Sequence, residues 1–239
     1  MSNISIEHGD RLYWLGRYAE RFFTTMKSLE RLHDKVIDRD SEHYKKYLEC
    51  FGLPDTYGNS KNFFESFILD KNNTCSVAYS LERAYDNGIV LREEISTEAL
   101  AYLQLAMDKL YGLKGNSLKG LAVTLLPLQD IMFSFWGCIM DNVHSEEIRN
   151  IIFCGKYVER LELYIRLKYR YQLILREFER LCTVLNRIPE NTPYRFNEKQ
   201  LSVMEEIIRD SERYSDSRNE VLSALAKLFE PSKRKDLVT

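Results

Sequence analysis

Residues Asp10 to Asp38 read DRLYWLGRYAERFFTTMKSLERLHDKVID, and their spacing decides the fold class. Leu12, Ala19, Met26 and His33 recur at seven-residue intervals, and Leu15, Phe22, Leu29 and Val36 repeat that interval three positions later. An a/d seam held over nearly four heptads specifies a long helix packed lengthwise on other helices. Polar residues take most of the opposite face.

Capping and breaking residues divide the rest of the chain. Ser41 is expected to cap a short helix that stops at Gly52. A turn-rich connector, Leu53 to Ser60, precedes a helix marked by Phe63, Phe64, Phe67 and Ile68. Thr74 is expected to cap a helix to about Ile95, and Ser96 the next, with Glu98 in its first turn and its end near Gly112. Gly115 and Asn116 mark a loop, and the apolar helix Leu118–Asn142 should kink near Pro127. Ser145 opens a segment of about forty residues to Asn186. Pro189 and Pro193 break the chain before Asn197 and Gln200, which resemble a capping box for a last region to Phe229 that breaks around Ser211–Ser217. The tail from Pro231 should fray. No stretch alternates with period two, so the expected fold is all-α: a single antiparallel bundle of about seven or eight helices, with residues 1–239 as one domain.

Composition agrees and excludes several function classes. The 239 residues include ten Gly and five Pro, too few for a turn-rich fold, and 44% are hydrophobic, too many for disorder. With 34 basic and 36 acidic side chains, net charge −2, a broad nucleic-acid binder is not expected, although a local basic patch is compatible with this balance. Cys50, Cys75, Cys138, Cys154 and Cys182 are scattered and form no CxxC pair, as suits a reducing compartment. The first eight residues lack a basic head and an apolar run. Asp130 interrupts the apolar stretch Leu121–Met140, where a membrane span would bury its carboxylate at roughly 2.5–3.5 kcal/mol. A buried core helix and a cytoplasmic protein are expected, and the glycosylation pattern at Asn3 and at Asn72 carries no weight without export.

Two distant segments echo each other. Leu12 to Arg21 (LYWLGRYAER) aligns with Ile151 to Arg160 (IIFCGKYVER), sharing aromatic, any residue, Gly, basic, Tyr, apolar, Glu, Arg. On a helix Trp14, Tyr18 and Arg21 form one stripe, with Arg17 and Glu20 able to pair beside it. Phe153, Tyr157 and Arg160 repeat that geometry next to Lys156 and Glu159. Gly16 and Gly155 each cost about 1 kcal/mol against Ala in a helix interior, so both point to close approach of another backbone or a ligand. Two readings follow. One is a close helix crossing with an interhelical salt-bridge network. The other is a polar pocket in which Arg17, Arg21 and Arg160 hold an acidic group, oriented by Glu20 and Glu159 and walled by Tyr13, Trp14 and Tyr157, with Tyr18 among the candidate binding residues. Glu82-Arg83 is a third Glu-Arg pair, without the preceding Gly.

The same residues carry a family resemblance. Asp10 to Arg21 resembles the opening signature of the bacterial alpha-E domain family, named for its Glu-Arg motif. Phe67-Ile68-Leu69-Asp70 with Ser76-Val77 is similar to its apolar-Asp turn. Ala84, Asn87, Arg92, Glu93, Ile95, Ser96 and Glu98 match its long middle motif, and Gly155 to Arg160 its second Glu-Arg helix. The resemblance covers roughly residues 10–170. Tyr85-Asp86 stands where the family has Arg-Glu, Leu100 where Trp is usual, and Lys156 where Arg is usual. The resemblance implies an all-helical domain whose genes neighbour ATP-grasp ligases and transglutaminase-like proteins, hence an accessory role in making or modifying peptide-like amide bonds. It adds Arg92 to the candidate set.

Catalytic motifs are missing: the chain has no GxSxG, P-loop, GxGxxG or HExxH, and four His in all. Glu30-x-x-His33 has the spacing that di-iron bundles draw from two helices, but no second ExxH exists to complete such a centre. Interleaved Arg and Tyr in Tyr164–Tyr171 read as one apolar and one solvated helix face rather than a nucleic-acid surface. The expected role is a non-catalytic helical protein acting with an ATP-grasp ligase or transglutaminase-like partner, without a cofactor. The alternative is an enzyme with its own inter-helix site, an amide-ligase component or a di-metal carboxylate bundle.

Overall fold

The computed structural model describes residues 4–38, 40–114, 120–189, 192 and 194–229. Among them the fold is all-helical, in twelve segments: α1 (Ile6–Asp38), α2 (His43–Phe51), α3 (Ser60–Leu69), α4 (Val77–Val90), α5 (Arg92–Ile95), α6 (Thr97–Tyr111), α7 (Leu121–Asn142), α8 (Glu146–Arg166), α9 (Tyr171–Leu185), α10 (Glu198–Ile208), α11 (Ser211–Asp216) and α12 (Arg218–Ala226). The expected loop at Gly115-Asn116, the helix start at Leu118, Pro193, Asn3 and the tail from Pro231 lie outside the described residues.

The seam read from the sequence is the buried stripe of α1. Leu12, Leu15, Ala19, Phe22, Met26 and Leu29 are wholly buried, whereas His33 and Val36 are half-buried where the helix leaves the core. One hydrophobic cluster joins α1 to the last helix, from Ile4 to Phe229. At its centre α1 packs on α8 and on α4, with α7 also against it, while α6 covers α4 and α7, and α9 covers α8.

The count of seven or eight helices is too low because long periodic segments are interrupted by caps. Ser76, not Thr74, caps α4 by accepting from Tyr79 N–H, and α5 is a separate turn after Leu91. Glu42 occupies the N-cap position of α2 with no side-chain bond, so Ser41 caps nothing there, although Gly52 ends the helix at φ 65° as expected. Ser96, Ser145 and Asn197 accept from the first-turn amides of α6, α8 and α10. Pro127 lies within α7 without ending it.

The forty-residue segment breaks between α8 and α9. There Lys168 adopts φ 53°, and its N–H donates to Ile165 O (3.1 Å) while Tyr169 N–H donates to Tyr164 O (3.0 Å). These are the two bonds of a Schellman motif, and the Tyr164 and Tyr169 rings, 4.3 Å apart, supply its hydrophobic contact. Heptad spacing continues through the break, so periodicity alone could not reveal it.

Antiparallel packing also fails at the centre. Glu20 pairs with Arg160, and further along Arg31 reaches Tyr169, so partner numbers rise together and α1 runs parallel to α8. Short connections impose antiparallel neighbours; α1 and α8 are joined by α2 to α7 and escape that constraint.

Candidate functional site

The two echoing segments meet. A Cβ on Gly16 would overlap the carbonyl oxygen of Ile152 and stand 3.1 Å from Lys156 N, and one on Gly155 would overlap the carbonyl of Tyr13 and stand 3.0 Å from Arg17 N. The contacts are reciprocal because Ile152 and Lys156 occupy in the second segment the positions of Tyr13 and Arg17 in the first. A local two-fold relation therefore links α1 and α8, and only glycine lets the backbones come this close.

Around that crossing the charges exchange partners between helices. Arg21 donates to Glu159 through Nε (2.5 Å) and Nη2 (3.0 Å), and Arg160 donates to Glu20 through Nε (2.7 Å) and Nη2 (2.9 Å). Arg17 donates from Nε to Glu159 (2.6 Å) and from Nη2 to Glu162 (2.5 Å). Thr24 Oγ1 donates to Glu20 at 2.6 Å. Pairing within one helix, expected for Arg17 with Glu20 and Lys156 with Glu159, gives way to pairing across the crossing. The bidentate fork reaches a carboxylate on the facing helix, where both groups are desolvated together. Glu20 and Glu159 side chains are 0% and 1% exposed. Burial pushes the Glu159 carboxyl up, but the Arg17 and Arg21 guanidiniums overcome this and hold it at about 2.

Two carboxylates of this network escaped the sequence reading. Glu162 bridges Arg17 and Arg166. Glu177 reaches in from α9, 1% exposed, with Arg160 at 3.5 Å and Arg180 at 3.1 Å. Its signal was a Glu on the apolar stripe of Ile174, Phe178 and Leu181, a position that requires a buried partner.

Aromatic rings flank the crossing. Arg17 Cζ lies 5.1 Å from the Trp14 ring centre, and Trp14 packs on Tyr18 at 5.2 Å. Tyr13 is buried against Phe229, 4.7 Å between ring centres. On the α8 side Phe153 stacks on Tyr157, and Lys156 Nζ sits 3.8 Å from the Trp136 ring centre. Lys156 forms no ion pair among the described residues, and burial lowers its amine to about 8 despite Glu20 nearby.

Other candidates lie elsewhere. Glu82 accepts from Tyr111 Oη (2.5 Å) and Arg83 pairs with Asp86, so the third Glu-Arg pair makes different contacts; Tyr79 meets both Tyr18 and Arg83 and links it to the cluster. Arg92 is exposed on α5 and pairs with Glu93, away from the crossing. Ser96 itself is held at φ 75°, ψ 153°, a region normally left to glycine, while its hydroxyl caps α6. Glu30 accepts from Gln129 Nε2 at 2.8 Å, whereas His33 packs edge-on against Phe64. No group of three His, Cys, Asp or Glu gathers among the described residues, so this pair lacks the further donors of a di-metal centre.

A family model for Alpha-E, described as "a predicted alpha-helical domain with a conserved ER motif", matches residues 8–188. No curated protein and no solved structure matches the chain.

Proposed function

The chain belongs to the Alpha-E family, and on that footing we propose that it is an accessory, non-catalytic cytoplasmic protein. It works with an ATP-grasp-type ligase or a transglutaminase-like partner in forming or modifying peptide-like amide bonds. The observation that carries this reading is the closure of the Glu-Arg network: Arg17, Arg21 and Arg160 are already met by Glu159, Glu162 and Glu20 of the same chain. A guanidinium so occupied braces two helices and offers little to an external anion. In this reading the twelve helices form one bundle organised about that crossing.

A surface for the partner finds support on α7. Val123, Leu126, Phe133 and Met140 lie along its outer face, with Val123 78% and Phe133 57% exposed. Apolar side chains aligned on one exposed face mark contact surfaces. α7 is also long and apolar enough to cross a membrane by length and composition, although its inner face, including Met132 and Phe135, is buried in the core.

Co-expression with an ATP-grasp-type ligase and, separately, with a transglutaminase-like protein tests the proposal. The two should co-elute, ATP-dependent amide formation should rise when this chain is present, and Val123→Glu with Phe133→Glu should abolish both effects while the chain stays folded. Absence of a complex with either type of partner overturns the reading.

One observation favours the enzyme alternative: Lys156 is a half-buried amine, free of carboxylate partners among the described residues, with its affinity for a proton lowered toward neutrality. Turnover of ATP and amino acids by the isolated chain, lost in Lys156→Met, would select it.

A further inference from the structure

At the far end of α1 from the crossing, α1, α2 and the turn between α8 and α9 enclose a half-open groove of about 330 Å³. Arg31 stands roughly 22 Å along the helix axis from Gly16, at about 1.5 Å per residue, so the groove is separate from the Glu-Arg network. Arg31 and Lys35 line it from α1, Lys46 from α2, and Lys168 and Arg170 from the turn, with no carboxylate among the lining residues. None of these five cations has an ion-pair partner among the described residues. In a chain of net charge −2 that pairs most of its other buried or half-buried guanidiniums, this concentration is local and uncompensated.

The arrangement opposes ordinary helix economy. Arg31 and Lys35 are one turn apart on the same face, where like charges repel. Lys168 takes a left-handed backbone position, φ 53°, that glycine normally fills. Lys35 alone would suit the C-terminal end of α1; the five exposed cations converge from three separate segments on one groove, where their fields add and attract an anion. The guanidinium of Arg31 is already aimed, since its Nη1 donates to Tyr169 Oη at 2.7 Å and its other donors remain for a ligand. Leu32, Tyr47 and Leu167 add apolar wall. The volume lies at the lower end of small-molecule sites, which run from about 300 Å³.

We propose that this groove binds a small organic polyphosphate of the nucleoside diphosphate type, its phosphates held by Arg31, Lys46, Lys168 and Arg170 and its organic part laid against Tyr47 and Leu167. The site is independent of the proposed partner role.

Calorimetric titration of the full chain with ADP, pyrophosphate, inorganic phosphate and sulfate, all at matched ionic strength, tests it. ADP should bind at least tenfold more tightly than phosphate or sulfate, with pyrophosphate between. Lys46→Glu and Arg170→Glu, both on exposed side chains, should each weaken ADP binding about tenfold or more. Lys109→Glu, outside the groove, should leave it unchanged, and melting temperatures should confirm that all three variants fold. ADP binding no tighter than sulfate overturns the proposal, as does equal weakening by Lys109→Glu. A single-stranded oligonucleotide that binds more tightly than ADP and is lost in the same variants would also overturn it, assigning the groove to nucleic acid.

Discussion

Gly16 and Gly155 face each other's helices where α1 and α8 meet backbone to backbone, each lying against the carbonyl that precedes the other by three residues. The Glu-Arg exchange depends on this spacing, because Arg21 and Arg160 reach across only when the axes are this close.

Gly16→Ala and Gly155→Ala should each destabilise the protein by about 3 kcal/mol or more, since the obstructing atoms are backbone and cannot rotate away. Gly137→Ala is the control: it lies within α7 with nothing within 4 Å of a new Cβ, and should stabilise by about 0.5–1 kcal/mol. Urea midpoints at unchanged slope check the set; equal effects at Gly16 and Gly137 would contradict the crossing.

Glu159 should confer acid sensitivity. Its folded pKa, about 2, lies below the ordinary value of 4.5. Its stabilising contribution is therefore complete above pH 4.5 and lost as pH falls toward 2, on the order of 3 kcal/mol in all. Glu159→Gln should cost about 3–5 kcal/mol at pH 7 by leaving buried Arg17 and half-buried Arg21 short of a counter-charge. The variant should also flatten stability between pH 4.5 and 2 relative to the parent; an unchanged pH profile would remove Glu159 as the cause.

At Lys156 it is the charged form that folding disfavours. Its amine falls from 10.5 to about 8 on folding, so below pH 8 the folded state carries the cost of a desolvated charge. Between pH 8 and 10.5 the unfolded chain holds the proton that the folded chain has released, and stability rises with pH. Lys156→Met should be more stable than the parent at pH 7, by an amount that shrinks as pH rises through that window. A variant less stable at every pH would show that the contact with Trp136 outweighs desolvation.

Ser96 combines a capping hydroxyl with strained backbone. Ser96→Ala loses the cap and keeps the strain, for a cost of about 1–2 kcal/mol. Ser96→Gly loses the cap but relieves the backbone, and should cost less. Thermal midpoints of the two variants separate these contributions; an Ala variant as stable as the Gly variant would mean that the strain is negligible.

Much of this fold was legible along the chain. The seven-residue recurrence from Leu12 to Val36 is a local signal, and it matches the buried face of α1 down to the residues where burial fades. Gly52, Ser96, Ser145 and Asn197 stop or start helices through bonds to residues within three or four positions. The break at Lys168 was not legible, because a non-glycine residue fills the left-handed position and the heptad pattern runs through it. Glu162 and Glu177 were missed because the partners that tie them into the network, Arg17 and Arg160, lie on another helix.

Local order thus determined the all-α class, most helix ends and the repeated Gly-basic-Tyr-x-Glu-Arg element, since helix formation and capping are decided within a turn or two of the residues concerned. Tertiary structure alone decided that α1 and α8 run parallel, that Arg17, Arg21 and Arg160 choose the facing Glu over the one beside them, and that cations from three segments share one groove. Desolvation explains the difference: a charge finds its partner in the interior only after packing has excluded water, and which residues are then within reach depends on how distant helices cross.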